Sequence, residues 1–207
     1  MSMELWRQRY RALPVTPVKR ELAQVLSEAE EQAAPVLCVT GDARGAAAFT
    51  EHWLPHIASR GHGAYAVSVR GQGSTPKEAG GRQAMVHDLV QTAAQLPRQA
   101  ILIGHDKGAA LVAHALARYP AAAAVLLAPK GVKAAPGDPV GSPRVLVAGS
   151  PDDRKTSAKS LETAARAYGG TPLLFPGVGH DFMNDPGWQA PLDAILDWLE
   201  NKQAAVG

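Results

Sequence analysis

Short apolar runs recur along the chain, separated by stretches whose apolar positions follow a helical period. The runs fall at 36–40, 64–69, 100–104, 123–128, 145–149 and 171–175, and the helical stretches at about 46–59, 83–96, 107–119, 157–168 and 189–202. Strands that are apolar nearly throughout, instead of alternating, belong to a sheet covered by helices on both faces. Helical crossovers between successive strands imply parallel neighbours. The pattern predicts an α/β fold on a mostly parallel six-stranded sheet. The punctuation agrees, because Gly61, Gly63, Pro97, Pro120 and the pair Gly169-Gly170 each follow a predicted helix.

Residues 1–34 break this rhythm. They are charged, helical in character and divided by Pro14 and Pro17, and contain no convincing strand. They predict a helical N-terminal extension packed on the sheet edge, ahead of a single domain over 35–207. The alternative is a flap in which Tyr10 or Trp6 covers a cleft.

Composition narrows the class. At 207 residues, 46% of them hydrophobic, the chain can build one domain with a sizeable core. With 21 basic and 19 acidic residues, scattered along the sequence, it lacks the basic stripe of a nucleic-acid binder. Cys38 is the only cysteine and lies in an apolar run, so it reads as a core residue and excludes an internal disulfide framework. Neither an export signal nor an uninterrupted membrane span is apparent; the most apolar stretch, 109–129, is broken by His114, Arg118 and Pro120. A soluble, cytoplasmic protein without a membrane partner is expected. No cofactor or metal is expected either, since the His-x-x-x-His pair His52/His56 sits on a helix interrupted by Pro55.

The chemistry centres on Gly104-His105-Asp106-Lys107-Gly108. A strand, a Gly-x-nucleophile-x-Gly turn and a helix form a nucleophile elbow, which lifts one side chain above the end of a sheet. Here that side chain is the carboxylate of Asp106, placed where a helix N-terminus favours negative charge. The plain alternative is an Asp that merely caps the helix. An acid and a histidine follow in the order that such a site needs. Gly149-Ser150-Pro151-Asp152-Asp153 supplies carboxylates after the fifth predicted strand, and Pro176-Gly177-Val178-Gly179-His180 supplies the histidine after the sixth. Each follows the carboxyl end of a strand, where ligands bind in open α/β sheets. Spacing from Gly149 favours Asp152 over Asp153 as the orienting acid. His105 reads as a packing residue of the elbow, and His52, His56, His62, His87 and His114 as surface or packing residues.

On these residues the chain resembles the α/β-hydrolase superfamily across about residues 35–200. The elbow is similar to that of haloacetate dehalogenases and epoxide hydrolases, which use Asp as nucleophile. Arg70-Gly71-Gln72-Gly73-Ser74 resembles the family's Arg-Gly-x-Gly-x-Ser turn, and 179–184 resembles the histidine loop of dienelactone hydrolases. The resemblance implies a catalytic triad of Asp106, Asp152 and His180, with the backbone amides of Asp42 and Lys107 as the oxyanion hole. Two departures stand out. Thr40-Gly41-Asp42 replaces the usual His-Gly pair, and its second carboxylate near the site is expected to raise one of the two pKa values and to make a shared proton feasible. Only 129–144 separates the fourth and fifth core strands, so no cap domain is expected, nor the cap's halide-binding Trp or epoxide-activating Tyr.

Three functions fit: a hydrolase acting on a small epoxide, haloacid, ester or lactone; a non-covalent acid–base enzyme, such as an isomerase, cyclase or lyase, in the same cleft; and a hydrolase-like scaffold that binds without turnover. The scaffold predicts that Asp106, Asp152 and His180 lie out of hydrogen-bond reach of one another, or that side chains fill the cleft.

Overall fold

The computed structural model describes residues 2–9, 14–29 and 33–200. Seven strands form one sheet: β1 (Glu21–Val25), β2 (Ala33–Thr40), β3 (His62–Ser68), β4 (Ile101–His105), β5 (Ala123–Leu127), β6 (Arg144–Gly149) and β7 (Leu173–Leu174). They lie in the order β1-β3-β2-β4-β5-β6-β7. β1 runs antiparallel to β3, and every other pairing is parallel. The helices are α1 (Met3–Arg9), α2 (Trp53–Ser59), α3 (Gly81–Gln95), α4 (Lys107–Leu116), α5 (Ala158–Arg166) and α6 (Gln189–Glu200).

The sheet divides the core in two. Leu89, Val112, Leu116 and Leu161 from α3, α4 and α5 cover one face, with Trp6 of α1. Phe49, Trp53, Ile57, Leu192 and Ile195, from the α2 region and α6, cover the other. Both faces of β3, β4 and β5 are therefore buried, which is why those strands are apolar almost throughout.

The structure corrects the expected count of six strands. The seventh, β1, lies inside the segment expected to be purely helical; it is a short edge strand whose alternate residues are exposed, so it lacks the apolar run that marks the others. The helix expected over 46–59 is two pieces, a 3₁₀ turn at Gly45–Phe49 and then α2. Pro55 explains the break: it has no N–H to continue a longer helix, and in the first turn of α2 none is needed. β7 is cut to two residues by Pro172 and Pro176 on either side. Trp6 does not approach the elbow. Its ring packs edge-on against Tyr119, 5.4 Å away, and its Nε1 donates to the Arg118 carbonyl at 2.7 Å. Tyr10 lies outside the described residues.

Between β5 and β6, residues 128–143 contain no helix or strand. No helix among the described residues is long and apolar enough to cross a membrane.

Candidate active site

Asp106 stands between β4 and α4 at φ 55°, ψ −121°. A non-glycine residue there is strained, by roughly 1–3 kcal/mol, and the surroundings hold it. Its N–H donates to the Leu127 carbonyl at 3.1 Å, and its own carbonyl accepts from Ala109 at 3.2 Å and Lys130 at 3.1 Å. The flanking glycines are required by close approach. A Cβ on Gly104 would lie 2.5 Å from the Gly108 carbonyl oxygen, and one on Gly108 would lie 2.4 Å from that of Val39. Their absence lets α4 sit against β2 and β4, which aims the first turn of the helix at the strand ends.

Although Asp106 occupies the position before the helix, its side chain makes no capping hydrogen bond. Its Oδ1 is buried without a hydrogen-bond partner. The plain capping role is thereby removed, and the carboxylate is left available.

His180 Nε2 lies 3.8 Å from that Oδ1, within ion-pair range and beyond a direct hydrogen bond. His180 Nδ1 is 2.7 Å from Oδ2 of Asp153, whose side chain is fully buried. Burial alone would raise the Asp153 pKa; hydrogen bonds from His180 and from the Lys155 amide outweigh it and hold the carboxyl below its usual range. The carboxylate that pairs with His180 is thus Asp153 and not the expected Asp152. The Asp152 amide donates to Ser150 Oγ at 3.0 Å, and its carboxylate turns outward to accept the Gly177 N–H at 2.7 Å, bracing the histidine loop.

The expected oxyanion donors separate as well. Lys107 opens α4, where first-turn N–H groups have no intrahelical partner, and its nitrogen lies 2.6 Å from where a Gly41 Cβ would stand. The Asp42 amide is not free: it donates to Thr40 Oγ1 at 3.1 Å, because the Thr that replaces the family's His closes a local turn. Nor does the Asp42 carboxylate share a proton with the site. It accepts from Arg44 Nη2 at 2.9 Å and from the Arg44 amide at 2.8 Å, and hydrogen bonding to Arg44 lowers its pKa despite partial burial. Arg44 then bridges to Asp181 at 2.9 Å, tying the β2 loop to the histidine loop.

One contributor was read from sequence only as a packing residue of the elbow. His105 is buried, and its Nε2 lies 2.8 Å from the His180 carbonyl. A carbonyl only accepts, so Nε2 carries the proton and Nδ1 accepts from the Thr40 hydroxyl 3.2 Å away. Burial lowers the His105 pKa, in keeping with a neutral ring. A chain of hydrogen bonds therefore runs from the Asp42 amide through Thr40 and His105 to the backbone of His180. Thr40 and His105 pair across β2 and β4, and the only sequence signal was a polar residue ending each of two apolar strands.

Arg70, from the glycine-rich turn, lies outside this constellation. It is buried with Asp88 and bonds it through Nε at 2.9 Å and Nη2 at 2.8 Å. His52 stacks on Trp188, and His56 meets Asp193 at 2.6 Å.

A cleft of about 430 Å³ opens beside the elbow. Gly41, Lys107, Ala110 and Leu111 line one part, Met85, Arg82 and Lys130 another.

The chain belongs to the alpha/beta hydrolase family, whose model matches residues 36–202. Solved structures share the fold. An esterase from Exiguobacterium antarcticum superposes with a TM-score of 0.73 at 12% identity, over 88% of this chain and 96% of that one. Est1E from Butyrivibrio proteoclasticus, bound to ferulic acid, gives 0.71 at 15%, over 88% and 94%. A monoacylglycerol lipase from Paleococcus ferrophilus gives 0.68 at 15%, over 89% and 98%. No curated protein matches the sequence.

Proposed function

We propose that this protein is a hydrolase of small organic substrates in which Asp106 is a covalent nucleophile, His180 the base and Asp153 the acid that orients it. The observation that carries this reading is the free carboxylate: Asp106 holds a strained elbow conformation, makes no cap, and keeps Oδ1 buried without a hydrogen bond opposite His180.

The electrophile follows from the nucleophile. A carboxylate attacking an ester carbonyl gives a high-energy mixed anhydride, whereas attack on an sp³ carbon gives an ordinary ester. Asp106 therefore suits a carbon bearing a halide or an epoxide oxygen. Its Oδ forms a bond to that carbon, and the leaving group departs with the electron pair. His180 Nε2 then takes a proton from water, and the hydroxide adds to the Asp106 carboxyl carbon, with the Lys107 amide donating to the oxyanion. Collapse returns the carboxylate and releases the product alcohol, protonated by His180. One carboxylate oxygen now comes from water. The 3.8 Å between Nε2 and Oδ1 leaves His180 free to address that water instead of being spent on the resting carboxylate.

A second reading has one observation in its favour: among the described residues neither Trp nor Tyr lines the cleft, so none of them offers a ring donor for a leaving halide or an opening epoxide. In that reading Asp106 and His180 exchange protons with a bound carbonyl compound and no covalent intermediate forms.

A single turnover in ¹⁸O-water separates the two. With epoxides and haloalkanes as substrates, the covalent route puts label in the peptide that contains Asp106. Turnover without label, abolished by His180→Ala, overturns the covalent route and leaves the acid–base one.

A further inference from the structure

The cleft beside Asp106 has a lopsided charge. Arg82, Lys107 and Lys130 all line it, and among the described residues no Asp or Glu does. An adjoining groove of about 280 Å³ shares Arg82, Ala110 and Gly131, adds His114 and Lys133, and again has no carboxylate among the described residues that line it. The chain as a whole is nearly balanced, at 21 basic to 19 acidic residues, so such segregation is not a consequence of composition.

Nor is the charge neutralised by the fold. Arg20, Arg44, Arg60, Arg70 and Arg166 each meet a carboxylate. Among the described residues, no carboxylate pairs with Arg82, Lys107, Lys130 or Lys133. The Arg82 charge reaches His114, where it adds to burial in lowering the imidazole pKa. Two of the cations also sit where helices disfavour them. Arg82 is in the first turn of α3 and Lys107 opens α4, and neither first turn carries an acid. A cation at a helix N-terminus is unfavourable by about 0.3–1 kcal/mol. An anion held between them reverses that sign. The third cation is tethered to the elbow, because the Lys130 amide donates to the Asp106 carbonyl at 3.1 Å. Met85, Ala110 and Leu111 give the same cleft an apolar part, and Gln72 is its one uncharged polar side chain among the described residues.

We propose that the cleft takes an amphipathic anion: a substrate whose carboxylate is held at the rim by Arg82 and Lys130, with its apolar part on Met85, Ala110 and Leu111 and its reactive carbon toward Asp106. This substrate class rests on the hydrolase reading, but the binding it requires does not depend on turnover. An exposed ion pair contributes less than about 1 kcal/mol; two cations acting together in a cleft, beside two helix N-termini, are expected to give about tenfold.

The test uses the wild-type protein and an inert probe pair, 4-phenylbutyrate and its neutral amide, titrated by ¹H–¹⁵N NMR. The carboxylate is expected to bind about tenfold more tightly, with the difference shrinking in high salt and lost in the Arg82→Gln/Lys130→Gln double variant. Equal affinities, or a preference that survives the double variant, overturn the proposal. Matched epoxides differing only as carboxylate and carboxamide then give the kinetic readout. A KM preference for the carboxylate that vanishes in the double variant supports the anion site. If the double variant instead slows both epoxides equally and shifts their pH profiles, the cations serve Asp106 itself and the proposal falls. Selective binding with no turnover of any epoxide sinks the hydrolase reading and leaves the anion site standing.

Discussion

Asp106 sets a conflict between stability and chemistry at a single residue. Its backbone is held at φ 55°, ψ −121°, a conformation that glycine adopts freely and other residues adopt with strain. Asp106→Gly is therefore expected to raise the melting temperature by about 2–4 °C while abolishing turnover, since it relieves about 1 kcal/mol of strain. A fall in melting temperature would show that the carboxylate contributes more to the fold than to the site. The neighbouring acids are separated by a similar contrast. Asp153→Asn is expected to lower kcat by about 10³–10⁴-fold, as loss of an orienting acid does. Asp152→Asn is expected to leave kcat within about threefold and to weaken only one loop hydrogen bond, of about 1 kcal/mol. Sequence showed that an acid should follow β6, and spacing favoured Asp152, whereas His180 pairs with Asp153. The choice depends on which carboxylate the turn buries: Ser150 takes the Asp152 amide, Asp152 turns out to Gly177, and Asp153 turns inward.

At the scale of elements, the elbow works because α4 touches the sheet through its glycines. Gly108→Ala would place a methyl group 2.4 Å from the Val39 carbonyl oxygen and push the helix off β2. A loss of about 1–3 kcal/mol is expected, together with most of the activity, because the Lys107 amide moves with the helix. Gly170→Ala is the control: nothing lies within 4 Å of its added Cβ, so melts of this variant should match wild type. Elements whose faces are both buried were legible from sequence, as β4 and β5 illustrate. β1 was not, because an edge strand of alternating exposure, five residues long, has too little pattern to stand out from a charged segment. The split between the 3₁₀ turn and α2 had a visible signal in Pro55. A periodic run of apolar positions outweighed it.

For the molecule as a whole, pH is the informative variable. Burial holds His105 below its ordinary 6.5, so the unfolded chain takes up a proton that the folded chain refuses. The associated stability is fully present above pH 6.5 and is lost as pH falls from there toward the lowered folded value. Burial acts in the same direction on His87 and His114. One such group contributes a slope of up to about 1.4 kcal/mol per pH unit. Chemical denaturation between pH 7 and pH 5 should therefore show a shallower loss for His105→Gln than for wild type, even though the variant starts lower at pH 7. Identical slopes would assign the acid lability to the other histidines.

The same imidazole has a further use. His105 is buried, and its Nε2 proton is held by the backbone carbonyl of His180 itself. Release of that proton to solvent requires the histidine loop to lift. Its exchange lifetime is consequently a clock for site opening, readable in the resting protein before any substrate has been found.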